Sequence, residues 1–226
     1  MIHSFWRTTR RLAGLLSMLV VAAAAQAQTE FEPPSGKGRV VVAVSGASGA
    51  GRYQVAAQKL ASFGYDVFLV DGNDVKGDQG AGLKAAIDKA LQSPHALPGK
   101  VGFVGFSLGG GLSLGYATHW PDQVAVVVAM FPLTRIYSND IPGFVGRIKV
   151  PVLMMAGEKD SYRDCCGIET ARAIGAAAAD LKLPFELITY PNADHDFILS
   201  GRSYNADAAN GAWAATEKKL KQYLPS

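Results

Sequence analysis

Serine is a weak nucleophile until a neighbouring base takes its proton. A chain that uses one must therefore also supply a base and a group that orients the base. Residues Gly105-Phe106-Ser107-Leu108-Gly109 form a G-x-S-x-G. Val101, Phe103 and Val104 before it read as a short buried strand, and Gly110 to His119 after it as a helix. Strand, sharp turn and helix give this motif chemical meaning, because the tight turn pushes the hydroxyl out at the top of a sheet. Glycines two positions either side of the serine keep strand and helix from clashing. The N–H of Leu108 then lies at a helix N-terminus, where it can stabilise an oxyanion. Without that setting, the five residues are equally well described as a glycine-rich loop that contains a serine by chance.

Of the four histidines, His3 falls in an N-terminal leader, and His95 and His119 fall at the wrong end of the expected sheet. His195 alone follows a strand at the correct edge, which makes it the candidate base. A base of this kind needs a carboxylate to hold its tautomer and stabilise the imidazolium. Asp160 stands just past the strand around Val150 and is preferred to its neighbour Glu158. Asp194 and Asp196 flank His195, but a sequence neighbour is poorly placed to accept from the ring. The resulting order is Ser107, Asp160, His195. Gly46 and Gly49 would let the loop after the first strand approach a substrate oxygen, with the N–H of Ala47 as the second oxyanion donor. Ser48, in Gly46-Ala47-Ser48-Gly49-Ala50, is a rival nucleophile one residue short of a second such turn. No spacing of His, Cys, Asp and Glu suggests a metal site. Cys165 and Cys166 are adjacent, and neighbouring Cα atoms about 3.8 Å apart fall below the usual disulfide range. A bond between them would be strained, which favours two free or buried thiols; a vicinal disulfide, which export would favour, is the alternative.

The elements that must position these groups alternate. Arg39 to Val44, Tyr65 to Val70, the strand before Ser107, Val124 to Phe131, Val150 to Ala156 and Phe185 to Tyr190 are continuous apolar runs suited to buried parallel strands. Helical patterns lie between and after them: Tyr53, Ala56, Leu60 and Phe63 on one face, then Leu83, Ile87 and Leu91, then Ala171, Ile174, Ala178 and Leu181. Ala206 to Leu224 closes the chain, with Trp213, Thr216, Leu220 and Tyr223 inward and a Glu217–Lys221 pair outward. This alternation predicts an α/β fold, a doubly wound, mostly parallel sheet of about six or more strands in one domain over residues 39–226. Ligands in such sheets bind beyond the carboxyl ends of the strands, where Ser107, Asp160 and His195 can converge. The connection from Pro132 to Arg147 is too short for a cap, so the site should be open. Arg135, Tyr137, Tyr162 and Arg202 are candidates to line it.

Residues 1–27 read as an export signal. Arg7, Arg10 and Arg11 precede an apolar run from Leu12 to Ala25, and Ala25-Gln26-Ala27 supplies a small-x-small cleavage site. The run is short for a membrane span. Removing it leaves 199 residues and no stable membrane span, and places the chain in the periplasm or outside the cell. Residues 28–38, with Pro33 and Pro34, read as a linker or irregular lead-in. The formal charge of +3 comes from the three leader arginines, so the remainder is neutral. That gives no support for a nucleic-acid partner.

GFSLGGG, the GEKD segment after a strand, and YPNADHDF together resemble the dienelactone hydrolase family of the α/β-hydrolase superfamily, over Arg39 to Leu224. The resemblance implies an α/β-hydrolase fold without a cap domain. It also implies Ser107, Asp160 and His195 as a catalytic triad acting on a small-molecule ester with no cofactor. Two departures point to a general carboxylesterase. Members of that family commonly carry a cysteine nucleophile, and they carry an acidic residue in the first loop, where this chain has SGASGAG. Two other readings compete. SGASGAG with Asp71 about twenty residues on also suits the dinucleotide turn of an NAD(P)-binding short-chain dehydrogenase. No tyrosine here has the lysine four residues on that such an enzyme needs. A non-catalytic binding protein on the same fold is the other.

Overall fold

The run RVVVAV at 39–44 has no polar face, so it can come to rest only between two apolar layers. The computed structural model, which describes residues 28–225, places it so. The strands are β1 (Gln28–Phe31), β2 (Gly38–Val44), β3 (Asp66–Val70), β4 (Ala96–Phe106), β5 (Val124–Met130), β6 (Val152–Gly157) and β7 (Phe185–Tyr190). The helices are α1 (Gln54–Ser62), α2 (Ala81–Ala90), α3 (Leu108–Gly115), α4 (Ile141–Val145), α5 (Ile168–Asp180) and α6 (Ala206–Tyr223). The seven strands form one sheet in the order β1-β3-β2-β4-β5-β6-β7. Every neighbouring pair is parallel except β1 with β3.

Side chains of a strand alternate between faces. Val40, Val42 and Val44 join a core with Leu83 and Ile87 of α2, Leu112 and Leu114 of α3, Phe144 of α4 and Ile174 of α5. Val41 and Ala43 join a second core with Ala57 and Leu60 of α1 and Ala212 and Leu220 of α6. The sheet is thus covered on both faces, the doubly wound arrangement expected from the alternation. Burying each of these valines contributes about 1.5 kcal/mol or more, so a one-residue register slip loses little on either face and must be prevented by the helices. The expected Glu217–Lys221 pair is present at 2.6 Å.

Four features differ from the expectation. Residues 28–38 are not all linker: Gln28–Phe31 is an edge strand antiparallel to β3, and Phe31 packs against the second core. Its short, half-polar sequence is what an edge strand tolerates. Leu91 and Leu181 lie at the C-caps of α2 and α5, past the last full turn, and are exposed. The helix after Ser107 begins at Leu108, and His119 belongs to a separate 3₁₀ turn. The connection 132–147 contains a 3₁₀ turn and α4, whose N-cap Asp140 accepts from the N–H of Gly143 at 2.9 Å. The expected export signal, residues 1–27, lies outside the described residues. Among the described residues no helix is long and apolar enough to cross a membrane.

Asp66 opens β3 and is fully buried. Burial, and behind it the charge of Glu30, push its carboxyl from 3.8 up to about 6. The folded state therefore holds this proton more tightly than the unfolded chain. Stability falls as pH rises from about 4 to about 6, and the whole cost is present above that window. Asp66→Asn should raise the melting temperature at pH 7.5, by an amount equivalent to at most about 3 kcal/mol, and the gain should shrink towards pH 4. Thermal unfolding at both pH values checks this, and an equal gain at each contradicts it.

Candidate active site

Ser107 lies between β4 and α3 with φ 50 and ψ −113, a conformation that L-residues other than glycine avoid. The surrounding structure holds it there: its N–H donates to the Met130 carbonyl at 3.0 Å and its carbonyl accepts from Leu133 at 2.8 Å. The flanking glycines are required by contact. A Cβ on Gly105 would collide with the backbone of Gly109, and one on Gly109 with the carbonyls of Val44 and Ser45. Leu108 is the first residue of α3, so its N–H has no acceptor inside the helix.

The loops after β6 and β7 bring the other two groups to the same edge. The Nε2 of His195 lies 2.9 Å from the Ser107 hydroxyl oxygen, and its Nδ1 lies 2.7 Å from Oδ2 of Asp160. The other carboxylate oxygen of Asp160 accepts from the N–H of Tyr162 at 3.1 Å. With Nδ1–H donating to the carboxylate, Nε2 presents its lone pair to the serine hydroxyl, which is the tautomer a general base requires. All three side chains are buried. Glu158 is engaged elsewhere, accepting from Arg172 and from Thr189 at 2.8 Å each. Asp194 accepts from the backbone N–H of His195 at 2.7 Å.

Ala47 and Ser48 line the same narrow cleft as Ser107, together with Tyr53, Tyr162, His195 and Asp196. Loop side chains wall this cleft, which stays partly open to solvent. Tyr162 lies flat against the imidazole, with centroids 4.6 Å apart and planes 7° apart, and Phe131 meets the ring edge-on at 5.1 Å. The Tyr53 hydroxyl donates to Asp196 at 3.2 Å. Burial, and next the charge of Asp196, raise the Tyr53 pKa, so this phenol stays a donor at working pH. Of the seven non-glycine residues with positive φ among those described, Ser107, Phe131, Arg163, Asp164 and Asp196 belong to this edge. Tyr137 is not a lining residue: its ring stacks on Phe144 and its hydroxyl donates to the Gly111 carbonyl. Arg202 lies in a separate surface pocket with Asn192 and Asp194. Arg135 is fixed to the cysteine loop through its backbone N–H, which donates to the Cys165 carbonyl.

Sequence reasoning missed two neighbours of Ser107. Tyr53 fits the apolar face of α1 and so reads as core, although its hydroxyl reaches the cleft. Asp196 was weighed only as a partner for its neighbour His195. The cysteines are a correction: Cys165 and Cys166 are joined by a disulfide. Their 3.8 Å Cα spacing does not prevent the bond, and the turn leading into them takes positive φ at Arg163 and Asp164. Asp71 does not reach out as a ribose-binding acid would. It accepts from the N–H groups of Ala50 and Asn73 at 2.9 Å each. Burial pushes its carboxyl upwards, but these hydrogen bonds outweigh it and leave the pKa below the ordinary value.

Comparison with known proteins gives a consistent result. The sequence profile described as "Dienelactone hydrolase family" matches residues 71–224. The chain is 30% identical over 145 residues to Protein usf of Aquifex pyrophilus, a match covering 63% of this chain and 59% of that protein. The chain thus spans about 59% of the length of the curated relatives it matches. Among solved structures it is similar to a dienelactone hydrolase-like promiscuous phosphotriesterase, P91, from metagenomic libraries. That match has TM-score 0.69 and 21% identity, over 87% of this chain and 92% of that one. It is also similar to Thermogutta terrifontis esterase 2 phosphorylated by paraoxon, with TM-score 0.70 and 16% identity over 88% and 89%. At these identities the structures speak for the fold.

Proposed function

The chain belongs to the dienelactone hydrolase family, and on that premise we propose that it hydrolyses carboxylic esters through an acyl-enzyme on Ser107. The observation that carries this reading is the unbroken hydrogen-bond chain from Ser107 through His195 to Asp160. His195 takes the Ser107 proton as Oγ attacks the ester carbonyl. The N–H groups of Leu108, at the start of α3, and Ala47, in the same cleft, receive the oxyanion that forms, which lowers the barrier. His195 then gives its proton to the departing alcohol. Water, deprotonated by His195, attacks the acyl-enzyme and restores the serine. Asp160 holds Nδ1–H and stabilises the imidazolium. Tyr162 and Phe131 pack the ring in place and keep bulk water from its faces.

The narrow cleft suits small acyl groups, so the rate should fall along a series of p-nitrophenyl esters of increasing chain length. An initial burst of nitrophenol equal to the enzyme concentration, followed by slower turnover, is the expected signature. A purified, folded protein that hydrolyses no member of the series contradicts the proposal.

We also propose that residues 1–27 direct export and are removed after Ala27, on the strength of the basic start, the apolar run and Ala25-Gln26-Ala27. N-terminal sequencing of protein recovered from an exporting host should begin at Gln28. A chain that still starts at Met1 overturns it.

A further inference from the structure

The loop that carries Asp160 and Tyr162 also carries Cys165 and Cys166, and it folds back on His195. The two sulfurs and a ring nitrogen of His195 all lie within 4.8 Å of one another. We propose that opening the Cys165–Cys166 disulfide creates a three-ligand zinc site, made of both thiolates and His195, whose occupation stops hydrolysis.

The donor set favours this cation class. Two thiolates and an imidazole select zinc or a similarly borderline-soft metal over the oxygen-seeking magnesium and calcium. Tetrahedral zinc holds sulfur at about 2.3 Å and nitrogen at about 2.0–2.1 Å, so its ligand atoms lie nearly 4 Å apart. The two sulfurs, now bonded to each other, must therefore move apart to about 4 Å. Each must also end about 4 Å from the ring nitrogen, inside the present 4.8 Å limit. Rotation of two freed cysteine side chains can supply both changes. The remaining requirement is already met. A zinc-bound histidine characteristically donates its other ring N–H to a carboxylate, and Nδ1 of His195 lies 2.7 Å from Asp160. The contact that makes Nε2 a base also makes it a ligand. Nε2 becomes available once the Ser107 hydroxyl turns away. Three protein ligands leave the fourth position to water or to that hydroxyl.

The chemistry balances. A dithiol reductant passes two electrons and two protons to the disulfide, giving two cysteine thiols and the oxidised, cyclic disulfide of the reductant. Zinc binding then releases the two thiol protons. The Nε2 lone pair that would take the Ser107 proton is held by the metal instead. Binding itself is independent of the ester-hydrolase reading; only its inhibitory consequence rests on that reading.

The test uses the folded protein in both redox states, with the dithiol removed by desalting under inert gas. Zinc is titrated against a chromophoric chelator, and cobalt(II) is added separately to give a thiolate-to-cobalt charge-transfer band. The reduced protein should bind one zinc at least 100-fold more tightly than the oxidised protein and show the cobalt band. His195→Gln, with His195→Ala as its backup, should weaken binding tenfold or more. Ester turnover of the reduced parent should fall in proportion to bound zinc and return on addition of chelator. Equal binding by both redox states overturns the proposal, as does undiminished binding by the histidine variants. If the oxidised, metal-free protein hydrolyses no ester, the hydrolase reading fails, while the zinc titration still decides the metal site.

Discussion

Ser107→Ala should eliminate the nitrophenol burst and reduce turnover by about 10⁶, the scale seen when the nucleophile of a serine hydrolase is removed. The effect is this large because only the Ser107 hydroxyl is hydrogen-bonded to Nε2 of His195 among the described residues, so the acyl-enzyme route is lost with it. His195 would remain oriented by Asp160, and the oxyanion donors would remain at the turn, so the residual rate reports those groups acting on water alone. The variant should fold, since alanine fits the turn and the hydroxyl's hydrogen bond is to His195. Alanine meets the same φ of 50 as serine and adds no new strain. Stopped-flow measurement on the most reactive ester of the series reads both quantities. Turnover near the parent rate would place the nucleophile elsewhere, with Ser48, which lines the same cleft, the first candidate.

Asp160→Asn should lower turnover by about 10⁴, the cost of the same change in a serine-protease triad. Asparagine keeps the shape but can donate to Nδ1, which favours the tautomer with its proton on Nε2. His195 would then point a hydrogen at Ser107 instead of a lone pair. The carboxylate that stabilises the imidazolium would be lost as well. Glu158→Gln is the paired control. Glu158 lies on the same loop, yet its carboxylate faces Arg172 and Thr189. Its partly exposed ion pair is worth about 1 kcal/mol or less, so turnover should change by no more than a few-fold. A large loss in Glu158→Gln with little loss in Asp160→Asn would reverse the assignment of the acid.

Much of this arrangement is legible in the sequence because it depends on local rules. The apolar runs at 39–44 and 124–131 read as buried strands, and Gly105 and Gly109 mark a strand-to-helix turn where a side chain would collide with backbone. Placing Asp160 and His195 after strands then requires only that loops at one sheet edge converge. The edge strand Gln28–Phe31 was not legible, because four half-polar residues carry no pattern until β3 offers its open side. Tyr53 was hidden because a tyrosine can be core through its ring and site through its hydroxyl, and periodicity reads only the ring. The cysteine pair takes the less favoured of its two readings, because a short Cα spacing disfavours a bond between neighbours without forbidding it. That pair meets His195 only through folding, since twenty-eight residues lie between Cys166 and His195 and no spacing rule spans such a gap.

The most direct measurement of the central claim is covalent. An organophosphorus ester is a fitting probe, because an activated serine hydroxyl attacks phosphorus as it attacks an ester carbonyl and leaves a stable adduct. The oxidised protein, treated with a fluorophosphonate and digested, should yield one modified peptide carrying the phosphonyl group on Ser107, in step with loss of ester hydrolysis. Asp160→Asn should label far more slowly, and Ser107→Ala should not label at all. A peptide labelled at another residue, or full labelling of Ser107→Ala, would contradict an acyl-enzyme on Ser107.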